Sequence, residues 1–220
     1  MVTRFVLALL FSVSCFQTTV HAQDFEGVIT YEITYESKTE GSNPMAAMML
    51  PSKEILTIKG QQSKVTQESN MTTNTFIKLP QKDTTLVYFE AMGQKIQLLL
   101  SSAEITDRYT PFKALNVEKT SGKQLINNSL CKRALVSFSD SLPPIEVYYL
   151  PNSYNAYPMF GSLEGIPVSY TMETPQYIIT KTAVNIEPKN IPPTAFAPLN
   201  GFTPKTVAEL QAMFGGFGAK

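Results

Sequence analysis

The sequence predicts an all-β fold with a few short helices. Segments rich in β-branched and aromatic residues recur about every 8–15 residues, with turn residues between them and no long helical pattern. Three of these segments, residues 85–89, 96–100 and 147–150, are apolar on both faces. A strand that is apolar on both faces must be covered on both sides. We therefore expect a second layer, formed by a helix, another sheet or a ligand.

The chain begins with the pattern of a secretory signal peptide. Arg4 precedes an apolar stretch over residues 5–11, and Ala22 ends a suitable cleavage site. That stretch is shorter than the ~20 residues that a transmembrane helix needs. We expect an exported protein of the periplasm or the outer-membrane periphery, not integral to the membrane. A lipid anchor at Cys15 is the alternative, which is disfavoured because Ser12 stands where lipoprotein signals usually carry leucine.

Residues 23–220 remain after cleavage at this site, and their length suits a single domain. The predicted signal holds one of the 18 basic residues and none of the 18 acidic ones, which leaves a net charge of −1. A nearly neutral chain argues against nucleic acid as a partner, because binding to phosphates needs a basic surface.

Histidine is absent from residues 23–220, because the single histidine is His21, and the one cysteine in that range is Cys131. This absence excludes the Ser-His-Asp and Cys-His nucleophiles and the usual zinc and copper sites. Carboxylate pairs and Ser-Lys chemistry stay open, but the acidic residues, among them Glu26 and Glu104, are scattered and indicate a solvated face. We expect no catalytic residue, no metal, no cofactor, and a buried, inert Cys131.

The first predicted strand, residues 27–36, alternates strictly between apolar and polar positions. This period of two is typical of a half-buried antiparallel strand. We expect its apolar face to point inward and to contact any bound ligand. The residues of that face are Ile29, Tyr31, Ile33 and Tyr35.

The other elements follow from the same patterns. Residues 84–101 predict a hairpin that bends at Met92-Gly93. Residues 202–216 predict a helix with Thr203 as its N-cap, Pro204 at its first position and Gly215-Gly216 at its end. Its apolar face closes the core or, alternatively, docks a partner. Further strands are predicted at residues 53–60, 62–69, 74–80, 114–121, 131–139, 145–150, 165–173 and 177–187.

A methionine-rich segment after the first strand is a candidate for ligand contact. It consists of Met45, Met48, Met49 and Leu50, with two alanines between them. Methionine is unbranched and polarisable, so it adapts to irregular apolar shapes. The segment could line or gate an apolar cavity; alternatively, it forms a short cap over the end of the sheet.

A turn-rich loop over residues 151–162 is the second candidate. It carries Tyr154, Tyr157 and Phe160. Exposed aromatic side chains in a loop can mark the mouth of a binding site. The alternative is that these rings fold back over the end of the sheet.

Motifs at both ends of residues 23–220 resemble those of a group of small exported bacterial envelope proteins of unknown function. The group begins with a Phe-x-Gly-x-Ile-x-Tyr motif, here Phe25 to Tyr31. It ends with a Phe-x-x-Pro-x-Gly-Phe/Tyr signature, here Phe196, Pro198, Gly201 and Phe202, with one inserted residue between Pro198 and Gly201.

The middle of the chain is similar to GLPGLI-type proteins. These carry a Cys-Lys-Lys-Ala strand, a Trp-Tyr strand and a Gly-Leu-Pro-Gly turn. The corresponding residues here are Cys131-Lys132-Arg133-Ala134, Tyr148-Tyr149 and Glu164-Gly165-Ile166-Pro167, so the tryptophan is missing and the turn is altered.

Both groups look like relatives of the LolA/LolB lipoprotein carriers. That relation implies an open, unclosed antiparallel β-barrel with short helices over its concave side. It also implies an apolar cavity that holds acyl chains. No ligand-contact motif of the carriers can be matched to residues of this chain.

The sequence therefore supports two hypotheses of different classes. The first is an exported binding protein for an apolar ligand, such as a lipid or a lipoprotein acyl chain, which predicts a cavity of several hundred Å³. The second is a structural or interaction protein of the cell envelope, with an envelope protein as partner, whose barrel is filled by its own side chains.

Overall fold

The computed structural model describes residues 25–38, 44–109, 114–139 and 143–214. The predicted signal peptide over residues 1–22, the alternative anchor Cys15 and the predicted helix end at Gly215-Gly216 lie outside these residues. The side chain of Met45 also lies outside the described part.

Within these residues, twelve strands form one sheet, and three short helices accompany it. The strands are β1 (Gly27–Ser37), β2 (Lys53–Lys59), β3 (Gln62–Glu68), β4 (Thr72–Leu79), β5 (Thr84–Ala91), β6 (Gln94–Ser101), β7 (Asn116–Ile126), β8 (Ser129–Ser137), β9 (Ile145–Pro151), β10 (Gly165–Glu173), β11 (Tyr177–Pro188) and β12 (Thr203–Pro204). The helices are α1 (Pro44–Met49), α2 (Ser102–Tyr109) and α3 (Val207–Phe214). The predicted all-β class with short helices is confirmed.

The sheet is open, and β1 lies in its middle. The strand order is β12-β6-β5-β4-β3-β2-β1-β11-β10-β9-β8-β7, so β12 and β7 form the two edges. All neighbours are antiparallel except β12 and β6. The first strand therefore joins two meanders, β2–β6 and β7–β11, because it pairs with β2 on one side and with β11 on the other.

The sheet is strongly curved. Thr85 on β5 and Tyr170 on β10 line the same cavity of about 390 Å³, although six strand-to-strand steps separate their strands. Neighbouring strands lie about 4.8 Å apart, so these two strands would be roughly 29 Å apart in a flat sheet. The sheet therefore wraps around the cavity, and we call the face toward the cavity the inner face.

The alternation predicted for β1 is present. Ile29 and Tyr31 are fully buried on the inner face and Glu32 is exposed on the outer face. Gly27 is required by a close approach, because a Cβ at this position would lie 2.3 Å from the carbonyl oxygen of Glu187 on β11. The glycine of the N-terminal motif is thus explained by strand packing.

A β-bulge in β11 preserves the inner face. Thr30 pairs with Asn185 and Tyr31 pairs with Ala183, so Val184 has no partner on β1. The extra residue is 48% exposed and shifts the side-chain alternation by one position. As a result, Ala183 and Ile186 are both buried on the inner side of the sheet.

Of the hairpin strands, β5 is covered on both faces, as the sequence predicts, whereas β6 is covered on its inner face alone, since Leu99 on its outer face is 61% exposed. On the inner side, buried side chains of β6 pack against Ile105 of α2 and against Val207 and Leu210 of α3. On the outer side, residues 189–202, which we call the C-terminal strap, cover an apolar patch of β4 and β5. That patch and its cover consist of Ile77, Leu86, Tyr88, Ile191, Phe196, Leu199 and Phe202.

The last helix begins later than the sequence suggests. Thr203, the predicted N-cap, instead pairs with Ile96 at the edge of the sheet. The helix is capped by Thr206, whose hydroxyl accepts from the Glu209 N–H at 3.1 Å while the Glu209 carboxylate accepts from the Thr206 N–H at 2.7 Å. This reciprocal capping box satisfies two otherwise free donors, which explains the later start.

Helix α2 was not predicted, although its start has the same signature. Ser101 and Glu104 form a capping box, with the Glu104 carboxylate accepting from the Ser101 N–H at 2.8 Å. The described helices are all too short or too polar to cross a membrane.

Glu26 anchors the C-terminal strap, which corrects its interpretation as a solvated residue. Its carboxylate accepts from the Ile191 N–H at 2.6 Å and from the Lys59 ammonium at 2.9 Å. The ammonium also donates to the carbonyl oxygen of Ile191 at 2.7 Å. The bond from Ile191, followed by that from Lys59, lowers the pKa of the Glu26 carboxyl below its ordinary value.

Glu26→Gln should therefore weaken the pH dependence of stability. Because the folded-state pKa of Glu26 is depressed, its contribution is complete above the unfolded-state pKa and is lost as pH falls through the folded-state value. We expect the variant to unfold at lower urea than the wild type at neutral pH, with the difference shrinking as pH falls below the ordinary glutamate pKa of roughly 4.3. Urea midpoints across this range measure the effect, and Glu32→Gln controls for the removal of a carboxylate elsewhere. A constant difference at all pH values would contradict the assignment.

Candidate ligand-binding cavity

The cavity of about 390 Å³ lies between the inner face of the sheet and residues 152–164, which we call the cover loop. The cover loop connects β9 to β10 and contains one 3₁₀ turn, Pro158–Phe160. Other depressions of the described surface, of about 440 to 610 Å³, are more open to solvent. The walls of the cavity are Glu54, Ser63, Val65, Gln67, Phe76, Lys78, Thr85, Ser102, Ile105, Tyr154, Asn155, Ala156, Tyr157, Pro158, Met159, Tyr170 and Lys181.

A buried ion pair forms one end of the cavity. Glu54 on β2 lies opposite Tyr31, and Lys181 on β11 lies opposite Ile33, so the two charged residues flank the central strand. Glu54 is 2% exposed and Lys181 is 4% exposed. The Lys181 Nζ lies 2.5 Å from Oε1 of Glu54. The pair therefore links β2 to β11 across β1.

Tyrosine rings enclose this ion pair. The Lys181 Nζ lies 4.3 Å from the ring centroid of Tyr31 and 4.1 Å from that of Tyr157. An ammonium over an aromatic face is attracted by the ring quadrupole, more strongly when water is excluded. The two rings meet edge to face, with an interplanar angle of 89°. Lys181 is thus held between a strand residue and a cover-loop residue.

Both carboxylate oxygens of Glu54 accept hydrogen bonds. Tyr157 donates to Oε1 at 2.5 Å, and Gln67 donates through Nε2 to Oε2 at 2.9 Å. Burial, together with the charge of Glu54, raises the pKa of Tyr157 well above its ordinary value, so the phenol keeps its proton and remains a donor. Tyr157 therefore fastens the cover loop to the sheet.

Burial lowers the pKa of Lys181, while the neighbouring carboxylate of Glu54 opposes that effect. Buried charges are tolerated when they are paired and hydrogen-bonded, which holds for both members here. The arrangement suits a polar anchor rather than a nucleophile, because the ammonium and the carboxylate are engaged with each other.

A second polar group lies farther along β4. The Lys78 ammonium donates a hydrogen bond to the hydroxyl of Tyr154 in the cover loop. Its Nζ also lies 5.0 Å from the centroid of that ring. Between the two polar groups, Val65 and Phe76 supply apolar surface from the sheet. The cavity is therefore amphipathic rather than uniformly apolar.

The structure brings three of the predicted contact residues to the cavity. Tyr154 and Tyr157 line it, and Tyr31 holds the Lys181 ammonium beneath it. Tyr157 is not an exposed ring at the mouth of a site, because its hydroxyl donates a hydrogen bond to the carboxylate of the buried Glu54. Phe160 is fully buried and packs edge to face on Tyr170 at 5.0 Å.

The other predicted contact residues lie elsewhere. Ile29 and Ile33 are buried on the inner face of β1 but do not line the cavity. The hydroxyl of Tyr35 donates to the Pro51 carbonyl at 3.1 Å. In the methionine-rich segment, the described side chains of Met48, Met49 and Leu50 are not part of the cavity walls; Met48 is 47% exposed, Met49 is 43% exposed and Leu50 is partly buried. Their contact with a ligand stays a prediction.

Sequence reasoning missed Glu54, Lys181 and Lys78, although the first two carried a signal in their strands. In "KEILTIK" the carboxylate falls in phase with Leu56 and Ile58, which are fully buried. In β11 the ammonium falls in phase with the buried Ala183. A charged residue in phase with the apolar face of a strand indicates a buried partner of opposite charge.

Cys131 is buried and is not activated as a nucleophile. Burial raises the pKa of the Cys131 thiol to about 11, so the thiolate needed for nucleophilic attack is rare at neutral pH. Within residues 25–38, 44–109, 114–139 and 143–214, no three His, Cys, Asp or Glu side chains cluster as metal ligands would.

Comparison with known proteins assigns no family. No protein-family model matches the chain, and no curated protein matches it. Two crystal structures of PNGF-II, in space groups C2 and P21, match 84% of the chain with TM-scores of 0.44 and 0.43 and identities of 16% and 17%. The chain spans about a third of those proteins, 32% and 33% of their length.

A crystal structure of LprF from Mycobacterium bovis is also similar, with a TM-score of 0.31 and 12% identity. The match covers 75% of this chain and 89% of LprF. At this level of similarity, none of these structures assigns a ligand or an activity to the chain.

Removal of one partner of the buried ion pair should strongly destabilise the protein. Lys181→Met leaves the charge of Glu54 buried and unpaired, and Glu54→Leu does the same to the charge of Lys181. We expect each single variant to lower the free energy of unfolding by about 3–5 kcal/mol. The double variant should cost less than the sum, because neither charge remains. Urea unfolding provides the double-mutant cycle.

The exposed pair Lys53–Glu68, at 3.1 Å, is the matched control for this cycle. Its side chains are 48% and 40% exposed, so breaking it should cost at most about 1 kcal/mol. Equal effects for the two pairs would refute the stabilising role assigned to burial.

Proposed function

We propose that this chain is an exported, non-catalytic binding protein that holds a small amphipathic ligand in the cavity beneath the cover loop. The observation that carries the proposal is a cavity of about 390 Å³ with an apolar strip between polar side chains. Ligand cavities typically measure roughly 300–1,000 Å³. The self-filled barrel that we considered as the alternative predicts no cavity of this size.

The volume of the cavity limits the size of the ligand that it can hold. A volume near the lower end of the usual range suits one short apolar chain or ring system rather than several long acyl chains. The resemblance to lipoprotein carriers implies acyl chains as cargo, and a single-chain amphiphile is the form of such cargo that this cavity favours.

The pairing of charged groups supports a binding role over catalysis. Glu54 and Lys181 neutralise each other. Hydrolysis by a Ser-Lys pair is the catalytic scheme to test, because Ser63 lies opposite Lys78 in the β3–β4 register. The Lys78 ammonium bonds to Tyr154 instead, which disfavours that scheme. Ester hydrolysis that is lost in Ser63→Ala would replace the binding proposal with an enzymatic one.

The experiment that tests the proposal is native mass spectrometry of the protein purified from its own host, with lipid extraction of the same sample. A bound amphiphile at near-stoichiometric amount supports the proposal. A protein that carries no ligand and takes up no fluorescent fatty acid would overturn it. An N-terminal diacylglycerol on Cys15 in the same spectrum would replace the predicted signal-peptide cleavage with lipid anchoring.

Filling the cavity should abolish binding without unfolding the sheet. Ala156 of the cover loop faces the cavity, so Ala156→Trp places an indole in the ligand volume. Val184→Trp is the matched control, because Val184 is 48% exposed at the bulge of β11. The wild-type chain has no tryptophan, so each variant carries one indole whose fluorescence also reports its exposure.

We expect uptake of a fluorescent fatty acid to fall at least about tenfold in Ala156→Trp and to be unchanged in Val184→Trp. Circular dichroism verifies that both variants fold. Undiminished uptake by a folded Ala156→Trp variant would place the ligand outside this cavity.

A further inference from the structure

The cavity carries an unbalanced positive charge. Its charged wall residues are Glu54, Lys78 and Lys181, and the first and last of these form an ion pair. Lys78 belongs to none of the ion pairs found among the described residues. Its only described polar contact is the neutral hydroxyl of Tyr154. The described walls of the cavity therefore carry a formal charge of +1.

Hydroxyl groups surround Lys78 on the sheet. In the register of the sheet, Lys78 lies opposite Ser63 on β3 and opposite Thr85 on β5. All three residues line the cavity, and the two hydroxyl residues are buried, at 4% and 8% exposed. One row across three strands thus presents an ammonium flanked by two hydroxyls.

Donors remain free in this row for a ligand. An ammonium has three N–H donors, and Lys78 uses one of them toward the oxygen of Tyr154. Because that oxygen accepts from Lys78, the phenolic proton of Tyr154 is available to another acceptor. The ammonium and the phenol therefore offer charge-assisted and neutral hydrogen bonds from two sides, which is the donor set that binds a carboxylate or a phosphate.

The apolar strip begins next to this row. Val65 and Phe76 pair with each other across β3 and β4. Each lies two residues from the Ser63–Lys78 pair, on the same side of it. Two residues along a strand span about 7 Å. A ligand whose polar end lies at Lys78 would thus extend its apolar part over Val65 and Phe76, toward the ion pair of Glu54.

We infer that the ligand is an anionic amphiphile, with a carboxylate or a phosphate bound by Lys78, Tyr154, Ser63 and Thr85. The inference rests on the proposed function, because it names the class of ligand for the same cavity. The ion pair at the other end supplies no net charge, so the selection for an anion comes from Lys78.

The test compares ligands that share one apolar chain. Dodecanoate, dodecyl phosphate, dodecanol and dodecyltrimethylammonium are titrated below their critical micelle concentrations against wild type, Lys78→Met and Lys64→Met by displacement of a fluorescent probe. Lys64 lies on the same β3–β4 pair but one residue out of phase with Ser63, so it points to the outer face. Lys64→Met is therefore the matched control for the loss of one positive charge.

We expect wild type and Lys64→Met to bind the two anions more tightly than dodecanol, and the cation least. Lys78→Met should weaken the better anion at least about tenfold and leave dodecanol unchanged. The preferred anion, carboxylate or phosphate, identifies the group. Added salt should weaken anion binding in wild type more than in Lys78→Met.

Tyr154→Phe provides a second variant in case Lys78→Met fails to fold, and it should weaken the anions by a smaller factor. Equal binding of dodecanol and dodecanoate, unaltered by either variant, would overturn the anion site while leaving the cavity proposal intact. Failure of all four ligands to bind would instead overturn both the proposed function and this inference.

Discussion

The ion pair between Glu54 and Lys181 is the interaction on which the centre of the molecule depends. The two residues lie on β2 and β11, which are far apart in the chain and flank β1. Their charges are excluded from water and balanced by each other, by Tyr157 and by Gln67. The same pair therefore joins the two halves of the sheet, fastens the cover loop and gives the cavity a polar end.

The curvature of the sheet places different demands on its two faces. The inner face surrounds a cavity in the centre and is covered by α2 and α3 near β6. The outer face of β4 and β5 would expose apolar side chains without the C-terminal strap, which packs Phe196 and Phe202 against it. The helices cover only the inner side of the sheet, so they do not explain why β5 is apolar on both faces. The strap covers its outer face and thus forms the second layer.

The motifs behind the resemblance to envelope proteins have structural explanations. Gly27 allows the backbone of β11 to approach β1. Gly165 has φ of +151°, and a Cβ there would lie 2.3 Å from the carbonyl oxygen of Leu150. Phe196 and Phe202 of the C-terminal signature belong to the strap. These residues maintain an architecture, and the residues of the proposed anion site, such as Lys78, lie outside the motifs.

The sequence by itself determined the fold class, the position of most strands and the inward face of β1, because alternate residues of a strand point to opposite sides. It also contained the phase of Glu54 and Lys181 with their buried neighbours. It did not determine which strands are adjacent, since pairing depends on contacts between distant parts of the chain. Only the tertiary structure decided that β1 is central and that Met48 and Met49 remain exposed. It also decided that Glu54 meets Lys181 and that Tyr154 lies over Lys78, because these two contacts depend on the curvature of the sheet and the path of the cover loop.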